Sequence, residues 1–187
     1  MTMYATQQLR DEHDGIRVML AVLEHLAGEL QRGAAVDTGD LASILDFLRT
    51  FADKCHHGKE EELLFPALVA AGLPEHSGPI AVMLIEHTQG RAFIHGMGDV
   101  LAQLPDAAAR ASFAEHALGY VHLLRAHIEK ENQVLFSMAE MRLSAADHTR
   151  LLDAFEQIET ERIGVGKHEQ YHALLHALRD RYLPKAA

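Results

Sequence analysis

Residues 51–66 read FADKCHHGKEEELLFP, and residues 126–136 read AHIEKENQVLF. Each stretch holds a histidine followed four residues later by a glutamate: His56 with Glu60, and His127 with Glu131. In an α-helix such positions lie on one face, so each pair presents an imidazole and a carboxylate in the same direction. Upstream of each pair stands a lone histidine preceded by a glutamate, Glu12-His13 and Glu86-His87. The chain thus writes one pattern twice. Four imidazoles and two carboxylates on four helices suffice to hold two metal ions inside a bundle. His57 with Glu61 is also an i, i+4 pair. Equal spacing from Glu60 to Phe65 and from Glu131 to Phe136, with Lys59 and Lys130 in register, favours His56 with Glu60. His57 is left to support the set or to add a further ligand.

Working outward, residues 6–32 carry Ile16, Met19, Leu20, Leu23, Leu26 and Leu30 at helical spacing. Residues 39–71 form a second amphipathic segment, in which Pro66 should kink the helix or mark its last turns. Ser77 suits an N-cap for a third segment ending near Leu104, with Pro79 in its first turn. A fourth runs over residues 107–142. Ser144 with Asp147 resembles a capping box opening a fifth, to about Ile163, and Gly164-Val165-Gly166 separates it from a sixth. No period-2 alternation suggests a strand. The expected class is all-α: an up-down-up-down four-helix bundle over residues 1–143, with two additional helices over 144–187 packed on the same domain.

A height test links the four histidines. In an antiparallel hairpin, residues at equal height are equidistant from the turn. The midpoint of His13 and His56 falls at 34.5, inside the first turn; that of His56 and His87 at 71.5, beside Gly72; that of His87 and His127 at 107, beside Pro105-Asp106. A midpoint error of one residue shifts relative height by only ~3 Å, so the four imidazoles share one level.

Composition bounds the rest. The 187 residues are 48% hydrophobic and carry net charge −10, with no basic stripe for nucleic acid and no polybasic cluster for a membrane surface. No apolar run approaches the ~20 residues of a membrane span. The N-terminus lacks the apolar core of a signal peptide. The lone Cys55 suits a reducing compartment and should be buried and inert. A soluble, cytoplasmic protein is expected. Of the 14 histidines, His76, His116 and His148 are expected at the surface. His25 is too far along its helix, and His95 and His122 are out of phase or height. His168, His172 and His176 make a helical stripe that is a polar face or a cap lending His168 or Tyr171 to the site. Glu12 and Glu86 should point away from the metals, into supporting hydrogen bonds.

The two quoted stretches, with Glu86-His87 after Gly78-Pro79-Ile80, resemble the hemerythrin-like HHE cation-binding domain over about residues 9–141. The resemblance implies a non-haem di-iron centre of two iron ions, oxo- or hydroxo-bridged. Its ligands would be His13, His56, Glu60, His87, His127 and Glu131. It also implies a small diatomic ligand or peroxide as partner, in O2 or NO sensing, storage, iron handling or repair of iron centres. A di-iron enzyme acting on peroxide or NO remains open, as does a metal-stabilised module that docks a protein through residues 144–183. Oxygen carriers of the family add a histidine one turn away on the third helix, where Met83 and Arg91 flank His87 here. They also use an aspartate five residues after the last histidine, where this chain has Glu131 at four. That implies a less saturated site and favours sensing, peroxide or NO chemistry, or iron storage over transport.

Overall fold

A computed structural model describes residues 4–164 and 166–184. Six helices account for the fold, and no strand occurs among the described residues. Helix α1 spans Ala5–Gln31, with Leu9, His13, Ile16, Leu20, Leu23 and Ala27 on one buried stripe. His13 thus occupies a position where the pattern would place leucine. The helix ends at Gly33 (φ 76°), in the left-handed region that glycine adopts without a side-chain clash.

Helix α2, residues 38–70, opens on Asp37, whose carboxylate accepts from the amides of Gly39 and Asp40 at 2.8 and 3.2 Å. It is α-helical over Thr38–Phe47, then π-helical over Leu48–His57 and Glu60–Leu64, and α-helical again over Phe65–Ala70. Pro66 sits at the start of that last stretch. The wide turn before it accommodates a residue that cannot donate a backbone hydrogen bond. Helix α3 spans Gly78–Val100, with a 3₁₀ turn at Leu101–Gln103. Ser77 occupies its N-cap position, but its side chain makes no capping bond. Helix α4, residues 107–142, is capped by Asp106 and turns π-helical at Glu131–Leu135. Helix α5, residues 145–163, opens on the expected capping box of Ser144 and Asp147. Helix α6, Lys167–Tyr182, follows Gly164 and Gly166, both at positive φ; Val165 of the expected break lies outside the described residues, as do 1–3 and 185–187. No described helix is long and apolar enough to cross a membrane.

The apolar interior divides into two clusters. One gathers Ile16 to Leu30 of α1, Leu41 to Cys55 of α2, Ile94 and Met97 of α3, and Phe113 to Ile128 of α4. The other gathers Ala5 and Leu9, Leu64 to Leu68, Ile80 and Met83, and Leu135 to Ala139. All four helices pass from one cluster to the other at His13, His56–Glu60, His87 and His127–Glu131. The histidines therefore do share one level. The last two helices join the same clusters, through Leu151 and Phe155 in one and Ile158, Tyr171, Leu175 and Leu178 in the other.

Candidate metal centre

Between the clusters lies a buried polar layer of five histidines and two glutamates. His13, His56, Glu60 and Glu131 bring donor atoms within 4.8 Å of one another, and so do His57, Glu60, His87 and His127. All six residues singled out by the sequence meet here, and His57 joins them. The Nε2 atoms of His13 and His56 stand 2.9 Å apart, and those of His87 and His127 3.1 Å. His13 and His127 each lie 3.2 Å from Glu131 Oε2; His56 and His87 lie 3.6 and 3.5 Å from the two oxygens of Glu60.

The outward nitrogens explain why the inward ones are free to bind a cation. His56 Nδ1 donates to Glu12 at 2.8 Å, and His127 Nδ1 to Glu86 at 2.9 Å. His87 Nδ1 donates to Glu61 at 2.7 Å, and His13 Nδ1 to Asn132 at 2.9 Å. His57 turns Nδ1 towards Asp53, at 3.4 Å, and stacks on His87 with centroids 3.9 Å apart. A ring that donates through Nδ1 presents a lone pair at Nε2. Lone pairs facing each other at such separations repel unless a cation lies between them. Two nitrogens bound to one ion at right angles stand ~2.9 Å apart, given bonds near 2.05 Å.

The carboxylates give the same result. All four oxygens of Glu60 and Glu131 are buried and accept no hydrogen bond. Orphaned buried carboxylates are costly, and a metal ion satisfies them. Without one, burial and the neighbouring Glu131 charge push Glu60 well above the carboxylate range. Burial drives His56 down to about 4 against the pull of Glu12, and drives His57 well below its usual value. Burial raises Glu12, but the His56 hydrogen bond and the Lys59 ammonium overcome it and lower that carboxyl to about 2. Glu12 and Glu86 thus point away from the centre, onto the imidazole of the next helix.

Two open alternatives narrow, for His57 and for His168 with Tyr171, and one expectation changes, for His148. Of the two places open to His57, the structure puts it in the buried layer: the wide π turn lets adjacent histidines both face inward, which offers a fifth imidazole and weakens the argument for an unsaturated site. Tyr171 does not reach the centre; its hydroxyl donates to Asp46 at 2.9 Å. His168 neighbours Glu12 and Glu159 rather than the seven-residue layer, and the Lys59 ammonium already contacts both carboxylates. His148 is buried rather than exposed, because its Nδ1 accepts the Ala5 amide at 3.3 Å where α5 meets the start of α1. Cys55 is buried, and burial pushes its thiol up to about 12, so it is inert.

A helical bundle with two overlapping His/Glu donor sets in its core defines a cation-binding protein. Residues 4–139 match the hemerythrin HHE cation binding domain, and the chain belongs to that family. Uncharacterized proteins of Mycobacterium bovis and Mycobacterium tuberculosis are each 24% identical to it over 162 residues, covering 86% of this chain and 63% of theirs. The chain therefore spans less than two thirds of the length of these curated relatives. No solved structure matches it.

Proposed function

We propose that this is a non-haem di-iron protein that binds or processes O2, NO or peroxide, in sensing, storage or iron handling. The observation that carries this reading is the set of four buried, hydrogen-bond-free carboxylate oxygens facing the imidazoles. His13 and His56 would hold one ion and His57, His87 and His127 the other, with Glu60 and Glu131 shared. Imidazole and carboxylate without thiolate suit iron, and an iron pair supplies electron exchange with oxygen- or nitrogen-based ligands. The chain's own part is to orient the imidazoles through Nδ1 and to exclude water with the apolar clusters. Phe136 stacks on His13 at 5.4 Å and Phe65 on His87 at 6.0 Å, which closes the layer on one side. The imidazoles divide two against three, so an ion at His13 and His56 would have the fewer protein ligands and the room for an exogenous one. The inert, lone Cys55 fits a cytoplasmic setting.

The test is metal content with an optical spectrum, on protein purified aerobically without a histidine tag. Close to two irons per chain with oxo-bridged ferric bands is the expected result. Mixing the reduced protein with O2, NO and peroxide then separates the roles. No metal, or a single zinc, from iron-replete cells overturns the di-iron reading.

A further inference from the structure

The lysines at the two equivalent places of the centre are treated differently. Lys130 donates to Glu86, the anchor of His127, and its side chain is 42% exposed. Lys59 donates to Glu12, the anchor of His56, at 2.5 Å, and its side chain is 0% exposed. What covers Lys59 from outside the bundle is α5. Its ammonium also donates to Glu159 of α5 at 2.5 Å and lies 5.6 Å from the centroid of the Phe155 ring. Gln8 of α1 donates to the same Glu159 oxygen at 2.7 Å.

Glu159 stands where α5 passes from one apolar cluster to the other, with Phe155 in the first and Ile158 in the second. It therefore crosses at the height of the metal centre. Three residues on, Arg162 pairs with Glu62 and packs on Gly58, where a Cβ would stand 3.1 Å from the guanidinium. The junction Glu159–Ile163 is clasped onto residues 58–62, beside His56, His57 and Glu60. Glu159 also lies beyond the 4–139 family match.

A buried ammonium is costly unless its partners are fixed in place. Lys59 is held between one carboxylate of the bundle and one of the added helices, and the bundle carboxylate grips His56 with its other oxygen. We infer that Lys59 and Glu159 are positioning residues through which α5 governs retention of the ion held by His13 and His56. Glu159 fixes Lys59, Lys59 fixes Glu12, and Glu12 aims the His56 ring. The inference rests on the di-metal reading of the centre.

Wild type, Glu159→Gln, Lys59→Met and Lys130→Met are each loaded with ferrous iron, and removal by excess chelator is followed by absorbance. Glu159→Gln and Lys59→Met should release one of the two ions about 10- to 100-fold faster, the usual effect of losing a partner behind a ligand. The other ion should leave at the wild-type rate. Lys130→Met should change release by less than about fivefold, as for an exposed pair. In Glu159→Gln the solvent-exchangeable, hyperfine-shifted imidazole N–H signal of His56 should move, with the thermal midpoint of the metal-free chain unchanged. That variant is isosteric and partly exposed, so it reports even where Lys59→Met does not fold. Two ions in wild type with unchanged release in both variants overturns this inference alone. Faster loss of both ions together, tracking a lower midpoint, reduces the clasp to packing and overturns it as well. A wild-type chain that takes up no ion pair overturns both readings.

Discussion

Helices α1 and α2 and helices α3 and α4 build their halves of the centre on one plan. Glu12 and Glu86 anchor His56 and His127, Lys59 and Lys130 back those anchors, and Phe136 and Phe65 stack on His13 and His87. The plan breaks at three places. His57 has Ile128 as its counterpart, so only α2 contributes an extra imidazole. Glu61, which anchors His87 and pairs with Arg91, has the neutral Asn132 as its counterpart behind His13. Lys59 is sealed by α5 where Lys130 faces solvent. An anionic partner behind a ligand imidazole raises its basicity. The half with His87 and His127 therefore has more donors and stronger ones. The half with His13 and His56 has fewer, and a cover. One repeated frame thus makes two unequal positions.

The sharpest way to break the comparison is to remove what both halves share. Glu60→Ala or Glu131→Ala should abolish binding of both ions, taking metal analysis from two per chain to near zero. Retention of one ion would show that the halves bind independently. Next, His57→Ile gives α2 the residue of its counterpart in α4 and leaves two imidazoles at each position. The ion at His87 and His127 should then leave more than about 100-fold faster, beyond the effect of losing an outer partner. An unchanged rate would leave His57 as a stacking partner of His87 only. Third, Phe155→Ala, at a fully buried site of α5, should cost about 3–5 kcal/mol by chemical denaturation. The ion at His13 and His56 should become selectively labile with it. Stability lost while both ions stay equally firm would make the cover an element of stability alone.

The smallest effect concerns acid. Burial lowers the pKa of His148, whose Nδ1 accepts the Ala5 amide. The unfolded chain then binds more protons below the ordinary histidine value. The contribution is complete above ~6.5 and is lost as pH falls below it. In the metal-loaded protein, wild type should lose about 2–4 °C more of its midpoint than His148→Gln between pH 7 and pH 5. Equal losses would mean that the start of α1 does not depend on that imidazole.

The bundle and the shared level of its histidines were legible because both depend on spacing. Leu9, His13, Ile16 and Leu20 keep the helical period, and the hairpin midpoints fall in or beside the three turns, at 34.5, 71.5 and 107. His57 stayed open between supporting the set and joining it because the α-helical period turns adjacent residues about 100° apart, and nothing in the letters announces a π turn. His148 was illegible because its partner is a backbone amide 143 positions away. Lys59 stood out by matching Lys130, but no period in either helix points to Glu159, which approaches from a helix outside the repeat.

The π turns have a consequence for the opening of the backbone. His56, His57, Glu60 and Glu131 all stand on stretches whose amides bond five residues back, an arrangement rarer and looser than the α turn. Elsewhere in α2 and α4 the amides are locked by ordinary α-helical bonds inside apolar packing. In hydrogen–deuterium exchange, the ligand-bearing stretches are therefore the weak links of helix interiors when the centre is empty. Ions held by His13, His56, His87 and His127 would tie the four helices together at that level and turn the same stretches into the slowest-exchanging part of the chain.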